Sequence, residues 1–220
     1  MYEEIPNIEI KNEIVKYKLI NSPLVEVTDI EYVPYYYNLG LKYSTNKCYL
    51  RKEVLDLLLE AKKLLPEGYN FKIYDGYRSI KLQEELYYFY YNKIIKKFNL
   101  ESLSKKEKES FVNKYVAFPK KNNLYAPAHT TGGAVDLFLT YKGKELDFGV
   151  KFDEFTDKTK TNYYEINNLS EEIKNNRRML YNVMTKVGFT NLPSECWHYD
   201  YGNNNWALIK KEHIKYKGEF

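Results

Sequence analysis

Histidine is scarce in this chain of 220 residues, and two of its three histidines lie in segments whose residue types could bind a metal. The first lies in the segment His129-Thr-Thr-Gly-Gly-Ala-Val-Asp136. An extended chain would hold His129 and Asp136 roughly 23 Å apart, so both can bind one ion only if the chain folds back between them. Gly132 and Gly133 provide the backbone freedom for that reversal. The alternative interpretation is an ordinary Gly-Gly loop with a surface histidine and a capping aspartate.

The second histidine lies in the motif Glu195-Cys-Trp-His198. In zinc hydrolases a neutral imidazole binds the metal, and a carboxylate that is not a ligand takes a proton from metal-bound water. A glutamate three residues before a histidine fits that arrangement. Taken alone, the motif also fits a Trp-His pair packed in the core beside a solvated glutamate.

Together the two segments predict a catalytic zinc site. His129, Asp136 and His198 supply three nitrogen and oxygen ligands, which is the number that a catalytic zinc uses while its fourth position stays open for water. Glu195 is then the spare carboxylate that moves the proton. Neither cysteine is required as a ligand.

A further candidate catalytic group is the arginine of the run Tyr74-Asp-Gly-Tyr-Arg78, between a predicted strand and a predicted helix. Hydrolysis of an amide creates an oxyanion, and a fixed guanidinium stabilises it through charge-assisted hydrogen bonds. The alternative is that Arg78 pairs with Asp75 only to hold the turn.

In order and spacing these motifs resemble those of the VanX-type D-alanyl-D-alanine dipeptidases, zinc D,D-peptidases that share a hedgehog-like fold. The resemblance spans residues 40–201 and is carried by the segments Tyr74–Arg78, His129–Asp136, Phe152–Asp153, Asn176–Arg178 and Glu195–His198. It implies a zinc ion bound by His129, Asp136 and His198. It also implies Glu195 as the general base and later the acid, and Arg78 as the group that contacts the transition state.

The resemblance further implies two residues that bind substrate. Asp153 matches the aspartate that holds the free ammonium of the dipeptide, and Tyr43 matches a tyrosine that lines the pocket. Pro127 stands where the family usually has serine, which removes a hydroxyl expected near the substrate. The strictness of a preference for D-Ala-D-Ala therefore stays open.

Hydrolysis of D-alanyl-D-alanine, or of a related D,D-dipeptide, is the function that the resemblance implies. A peptidoglycan D,D-carboxypeptidase or L,D-endopeptidase would use the same zinc scaffold, and a non-catalytic zinc or peptide-binding module is a third interpretation. The polar segment 149–168, which we expect to cover the site, separates the two enzymes. A closed acidic pocket around Asp153 suits a free amine, whereas an open groove suits a polymer.

Apolar periodicity predicts the elements that must position these residues. Helices are predicted over residues 50–65, from Ser79 to Phe98, from a capping box at Ser104, and from Ser170 to Gly188. Strands are predicted at 71–74, 134–139 and 197–201, with a hairpin turn at Lys142-Gly-Lys that returns through 145–148. This irregular order indicates an α+β fold. The resemblance implies a small central antiparallel sheet flanked by helices, and the lack of a linker predicts one domain over residues 1–220.

Composition excludes several other classes of protein. No apolar stretch approaches the roughly 18 residues of a membrane span, and 34 basic against 30 acidic residues is too balanced for a nucleic-acid surface. The two cysteines form no disulfide scaffold, although a bridge between Cys48 and Cys196 stays open. The start of the chain lacks the pattern of a signal peptide, which predicts a cytoplasmic location unless such a segment has been removed. The sequence does not indicate an oligomeric state.

Overall fold

The computed structural model of the chain describes residues 2–10, 13, 15–121 and 125–219. Its strands are β1 (Leu24–Glu26), β2 (Glu31–Tyr32), β3 (Tyr49–Arg51), β4 (Tyr69–Asp75), β5 (Ala134–Tyr141), β6 (Lys144–Glu145), β7 (Thr190–Asn191) and β8 (His198–Asp200). Its α-helices are α1 (Tyr35–Asn38), α2 (Lys52–Lys63), α3 (Ile80–Lys97), α4 (Lys105–Val112), α5 (Tyr163–Ile166), α6 (Glu171–Lys186) and α7 (Asn204–Lys210). Short 3-10 helices lie at Ala128–Thr131 and Asp157–Thr159.

The strands form one central sheet and one small pair. The order in the sheet is β2-β4-β5-β8-β7, with β6 paired to the end of β5. Neighbouring strands run antiparallel except β2 and β4, which are parallel. β1 and β3 form a two-stranded antiparallel ribbon. The predicted α+β fold with a small antiparallel sheet is confirmed, and the parallel β2 edge is an addition to it.

The central strand β5 is buried from Ala134 to Thr140. Because side chains alternate along a strand, Val135, Leu137 and Leu139 share one face while Asp136 lies on the other. The aliphatic face belongs to the hydrophobic core, and α6 packs against both β5 and α2. Full burial of such an aliphatic side chain contributes about 1.5–3 kcal/mol to stability. This core therefore holds rigid the strand that carries Asp136.

The helix ends follow the capping signals in the sequence. Ser79 caps α3, and its hydroxyl accepts a hydrogen bond of 3.2 Å from the backbone N–H of Leu82. Ser104 and Glu107 form the predicted capping box at the start of α4. Each such cap satisfies a backbone N–H that the first turn of a helix leaves unpaired. The predicted helices at these positions are confirmed.

Other predicted boundaries differ from the structure. The helix expected from residue 50 begins at Lys52, because residues 49–51 pair with β1 instead. The polar segment 149–168 contains α5 and a 3-10 helix that its weak patterning did not predict. The strands β1, β2, β3 and β7 and the helices α1 and α7 were also not predicted. Most of these elements have only two to four residues, too short to show a period.

Both cysteines are buried and free, so the possible bridge between Cys48 and Cys196 does not form. Within the part of the chain that the structure describes, no helix is both long enough and apolar enough to cross a bilayer.

The chain reverses at Gly132 and Gly133, between the first 3-10 helix and β5. Gly132 adopts the left-handed conformation with φ at +71°, which favours glycine. Gly133 packs so closely on the chain after β8 that a Cβ there would collide with the carbonyl oxygen of Tyr201. The reversal expected from the Gly-Gly pair is thus present, and it turns His129 back toward Asp136.

We expect Gly133→Ala to lower the free energy of unfolding by about 1–3 kcal/mol, the usual cost of overpacking, and to weaken binding of a divalent cation because His129 shifts. Gly143→Ala is the control: Gly143 lies in the β5–β6 turn with φ at +77° and open space around a Cβ. That variant carries backbone strain of roughly 1–2 kcal/mol but should keep its cation affinity. Thermal denaturation with and without added metal measures both effects, and an unchanged melting temperature for Gly133→Ala would contradict the close packing.

Candidate metal centre and active site

Three adjacent strands place polar groups in one row across the sheet. Asp136 of β5 stands opposite Asp75 of β4 on one side and opposite His198 of β8 on the other. The Cβ atoms of directly opposed residues lie about 4.5–5.5 Å apart. The side chains of Asp136 and His198 therefore meet because of strand register alone.

His129 reaches the same point from the 3-10 helix before β5. Its carbonyl oxygen accepts a hydrogen bond of 3.1 Å from the backbone N–H of Arg78, which ties this helix to the end of β4. Its ring Nδ1 lies 2.8 Å from the carbonyl oxygen of Gly76. These two contacts fix both the position and the orientation of the imidazole.

The two imidazoles and the aspartate form a compact buried cluster. His129 Nε2 lies 3.2 Å from His198 Nδ1 and 3.2 Å from Asp136 Oδ2, and His198 Nδ1 lies 2.9 Å from Asp136 Oδ1. One ligand atom from each residue falls within 4.8 Å of the others. The structure thus brings together His129, Asp136 and His198, although they are separated by up to 69 positions in the sequence.

The hydrogen bonds around this cluster determine which nitrogen of each imidazole ring can offer its lone pair to a metal ion. Nδ1 of His129 faces Gly76, and Nε2 of His198 lies 2.9 Å from Asp200 Oδ1. A ring nitrogen that faces such an acceptor carries the N–H, so the other nitrogen of each neutral ring is free to bind a metal. Asp136 Oδ1 is buried and faces His198 Nδ1, which donates no hydrogen bond to it when the N–H of the neutral ring is at Nε2. The residues therefore fit a divalent cation held by two nitrogens and a carboxylate.

The charge around His198 supports the same conclusion. Burial opposes protonation of this ring, but the carboxylates of Asp200 and Asp136 outweigh burial and hold the pKa of His198 well above its usual value. Two carboxylates that attract a proton to this position also attract a metal ion. Binding of a cation would release that proton, since only the neutral imidazole is a ligand.

Glu195 stands beside the cluster without belonging to it. The turn from Leu192 to His198 closes on itself, because His198 donates its backbone N–H to the Glu195 carbonyl over 3.2 Å. Glu195 Oε2 then lies 3.9 Å from His198 Nδ1. Burial raises the pKa of Glu195 to about 7; His198 lowers it, and Asp136 and Asp153 add to the rise. A carboxyl group that titrates near neutrality is suited to take up and return a proton.

Arg78 is buried and held by its neighbours. Its Nε donates to Asp75 Oδ2 over 2.9 Å, Nη1 donates to Gln83 Oε1 over 2.8 Å, and Nη2 donates to Tyr36 Oη over 3.2 Å and also to Asp75. A guanidinium has five N–H donors. One Nη1 hydrogen therefore has no acceptor among the described residues, while Arg78 itself lines the cavity at the cluster. Arg78 both holds the turn with Asp75 and presents a positive charge to the cavity.

Asp153 lies on the segment that covers the site. Its Oδ2 accepts a hydrogen bond of 2.8 Å from the hydroxyl of Tyr90, and its backbone adopts φ of +57°. Burial raises the pKa of Asp153 to about 6, and the hydrogen bond from Tyr90 and the charge of Arg78 oppose that rise. The structure thus brings Asp153 to the cavity, as the sequence predicted.

Arg177 of α6 is buried and holds the covering segment, residues 149–168, through hydrogen bonds to its backbone. Its Nε and Nη2 donate to the Phe148 carbonyl over 2.9 and 2.6 Å, Nη2 donates to the Lys158 carbonyl over 2.8 Å, and Nη1 donates to the Lys160 carbonyl over 2.8 Å. The residues on either side of Arg177 bind adjacent segments of the same chain. Asn176 donates a hydrogen bond to the Asp147 carbonyl, and Arg178 donates one to the Glu165 carboxylate. The Asn-Arg-Arg motif therefore shapes the segment that carries Asp153.

These groups line one cavity of about 450 Å³. The walls include the metal-binding cluster, Glu195, Arg78 and Asp153. Tyr43 does not join them: it is exposed, and its backbone N–H donates to Glu85 at the surface. Tyr36 supplies a tyrosine to the cavity wall instead.

Sequence analysis missed the residues that orient the others. Asp200 is fully buried and holds His198, and its position two residues after His198 on a strand was the available signal, because such residues share a face. Nothing in the sequence distinguishes Tyr36 and Tyr90 from the other tyrosines, of which the chain has 24 in all. Their roles follow only from the tertiary packing of α1 and α3 against the covering segment.

This combination of a metal-binding cluster, a spare carboxylate and an arginine in one cavity is typical of a metallopeptidase site. Residues 27–218 match the peptidase M15 family described as D-ala-D-ala dipeptidase. The match covers most of the chain, and the chain belongs to this family.

Two curated relatives support the assignment. The chain is 28% identical over 190 residues to a D-alanyl-D-alanine dipeptidase of Synechocystis sp., covering 78% of this chain and 77% of the relative. It is 27% identical over 164 residues to a D-alanyl-D-alanine dipeptidase of Enterococcus faecium, covering 71% and 75%. Among solved structures, VanYB in complex with D-Ala-D-Ala matches at 15% identity with a TM-score of 0.44, covering 85% of this chain and 87% of that one.

We expect His129→Ala, Asp136→Ala and His198→Ala each to reduce the bound divalent metal well below an equimolar amount, because each removes one of three ligands. Elemental analysis of the purified variants measures this. His213→Ala is the control, because this third histidine is exposed near the C-terminus. Full metal content in any one of the three variants would remove that residue from the site.

Proposed function

We propose that this chain is a zinc-dependent dipeptidase that hydrolyses D-alanyl-D-alanine, or a closely related D,D-dipeptide, to free D-amino acids. The observation that carries the proposal is the cluster of His129, Asp136 and His198 with Glu195 beside it, in a cavity that also holds Asp153. The family and the named relatives support D-alanyl-D-alanine as the substrate.

Zinc is the metal that this donor set favours, since three nitrogen and oxygen ligands with an open fourth position are typical of catalytic zinc. When bound, it polarises the scissile carbonyl and makes a water molecule acidic enough to act near neutral pH. Glu195 takes the proton of that water at its carboxylate and later returns it to the departing amine. Glu195 Oε2 lies 3.9 Å from His198 Nδ1 and lines the same cavity, so this carboxylate would be within reach of a water molecule at a metal held by the cluster.

Arg78 stabilises the negative charge that develops on the carbonyl oxygen. Its Nη1 hydrogen without an acceptor in the described chain is the group available for this bond. Asp75, Gln83 and Tyr36 hold the other donors, so the guanidinium does not have to reorganise when the charge appears. Such preorganised donors are typically worth a factor of about 10²–10³ in turnover.

Asp153 binds the free ammonium of the substrate. Its carboxylate lines the cavity and is partly buried, where an unpaired charge is costly and a positive partner offsets that cost. The cavity of about 450 Å³ lies within the range of small-molecule sites. Both observations favour a dipeptidase over an endopeptidase that acts on the polymer.

The primary test is the release of free D-alanine from a panel of L,L-, L,D- and D,D-dipeptides with added zinc. We expect turnover of D-Ala-D-Ala and of related D,D-dipeptides, and little turnover of L,L-dipeptides. A zinc-loaded protein that releases no D-alanine from any D,D-dipeptide would refute the proposal.

Glu195→Gln should lower kcat for D-Ala-D-Ala by roughly 10²–10⁴-fold, because a neutral amide cannot accept the proton. Its zinc content should match that of the wild type, because Glu195 is not a ligand in this proposal. Glu212→Gln, an exposed residue, serves as the control. Turnover of Glu195→Gln close to the wild-type value would exclude Glu195 as the base.

Asp153→Asn should raise KM for D-Ala-D-Ala by roughly 10–100-fold, since a hydrogen bond to a charged group contributes about 1.5–3 kcal/mol. The wild type should likewise reject N-acetyl-D-Ala-D-Ala, which lacks the ammonium. Asp157→Asn is the control, an exposed aspartate on the same segment. Equal hydrolysis of the free and acetylated dipeptides by the wild type would instead favour a D,D-carboxypeptidase.

A further inference from the structure

The 3-10 helix that carries His129 has only four residues, and its end is held by a residue from another element. The last carbonyl groups of a helix have no partner within the helix. Here the Thr131 carbonyl accepts a hydrogen bond of 2.7 Å from Arg51 Nε, and the Gly132 carbonyl accepts one of 3.0 Å from the Arg51 backbone N–H. The Arg51 side chain also packs on Gly132, where a Cβ would lie 3.3 Å from Arg51 Cγ. Arg51 of β3 therefore holds the chain directly after His129.

Arg51 is itself held on several sides. Its side chain is buried, its Nη1 donates to the Ser22 carbonyl over 2.8 Å, and its Nη2 donates to Glu219 Oε1 over 2.6 Å. Its guanidinium also lies 5.5 Å from the centre of the Tyr216 ring. Because an arginine presents its donors in a rigid planar fork, these contacts together fix its orientation.

Glu219 contacts both Arg51 and the helix that Arg51 holds. Its carboxylate accepts the hydrogen bond from Arg51, and its backbone N–H donates to the Thr130 carbonyl over 2.9 Å. Thr130 is the residue next to His129. The three carbonyls that follow His129 in the sequence are therefore all bound by two residues that form an ion pair with each other, although these two lie 168 positions apart.

This arrangement matters because His129 needs a precise position. A metal–ligand distance tolerates deviations of only about 0.2 Å, and a single turn of 3-10 helix has poor hydrogen-bond geometry of its own. Gly76 and Arg78 hold His129 from the end of β4, through the ring Nδ1 and the carbonyl oxygen respectively. Arg51 and Glu219 hold the residues that follow it. The helix is thus fixed on both sides of the imidazole.

We propose that Arg51 is a positioning residue for His129, that Glu219 holds Arg51 in place, and that this ion pair thereby raises the affinity of the site for its metal. This inference rests on the metal site of the proposed function. Neither residue of the pair is among the described residues that line the cavity, so the effect on the metal passes through the 3-10 helix. Groups that orient a metal ligand typically contribute a factor of about 10–100 in metal affinity.

The test measures zinc affinity by competition with a chelator in the wild type, Arg51→Lys and Glu219→Ala. Lysine keeps the charge but carries all its donors on one nitrogen, so it cannot span the three acceptors that Arg51 binds. We expect it to raise the dissociation constant for zinc by about 10–100-fold. Glu219→Ala keeps the backbone hydrogen bond to Thr130 and removes only a half-exposed carboxylate. It should raise the dissociation constant by about 2–5-fold.

Two further measurements separate a positioning role from a contribution to stability alone. At one fixed concentration of free zinc, the rise in melting temperature that zinc causes should be smaller in Arg51→Lys than in the wild type, because stabilisation by a ligand follows its affinity. A role in stability alone would lower the melting temperature equally with and without zinc, which would overturn the inference. The visible absorption spectrum of the cobalt-loaded protein reports ligand geometry, and it should change in Arg51→Lys.

Glu26→Ala is the matched control. Glu26 lies on β1, beside β3, and pairs with Lys47 over 2.8 Å. Its side chain is 38% exposed, against 44% for Glu219. The variant breaks a similar surface ion pair away from the 3-10 helix, so zinc affinity should stay at the wild-type value. Equal weakening of zinc binding in Glu26→Ala and Glu219→Ala would overturn the inference.

Unchanged zinc affinity in Arg51→Lys would also overturn it. If Arg51→Lys does not fold, Glu219→Ala decides the question, since it alters only a partly exposed side chain, and wild-type zinc affinity in that variant would refute the role of the pair. A wild type that binds no zinc would refute the metal site of the proposed function. A wild type that binds zinc no more tightly than the variants would refute this inference alone.

Discussion

The site depends on one electrostatic constraint: atoms that repel one another are held together by the surrounding fold. Strand register brings Asp136 against His198, and the reversal at Gly132 and Gly133 adds His129. Their inward-facing atoms are lone pairs and a carboxylate, buried away from water that would otherwise separate them. A proton held by His198 offsets part of this repulsion, and a divalent cation that binds all three side chains would replace that proton. Folding and metal affinity are therefore coupled in this chain, because a preformed site of this kind rarely exists in an unfolded state.

The remaining polar residues of the cavity act by limiting the freedom of that cluster. Gly76 and Asp200 choose which nitrogen of each imidazole faces inward. Asp200 is itself held by Asn203 and Asn205, so the orientation of His198 depends on a chain of hydrogen bonds that reaches α7. Each polar group in this series has a hydrogen-bond partner in the next, and these hydrogen bonds offset the cost of burying the Asp200 carboxylate.

The cluster of candidate ligands could be predicted from the sequence more completely than the residues that surround it. His129, Asp136 and His198 were recognisable because residue type and spacing carry information about ligands. The hydrogen bond from Tyr90 to Asp153, the exposed position of Tyr43 and the partners of Asp200 could not be predicted, because they depend on how distant segments pack. The same holds for the fold: long periodic elements such as α3, α6 and β5 were predicted, whereas β2 and β7, with two residues each, owe their form to neighbouring strands.

Arg177 has a consequence for how the enzyme responds to its surroundings. The segment with Asp153 is tied to a guanidinium through backbone carbonyls at Phe148, Lys158 and Lys160 rather than through a carboxylate. Carbonyls do not titrate, an arginine keeps its charge at every physiological acidity, and ions in solution screen buried contacts only weakly. The shape of this wall of the pocket is therefore insulated from changes in acidity and salinity, even where the reacting groups are not.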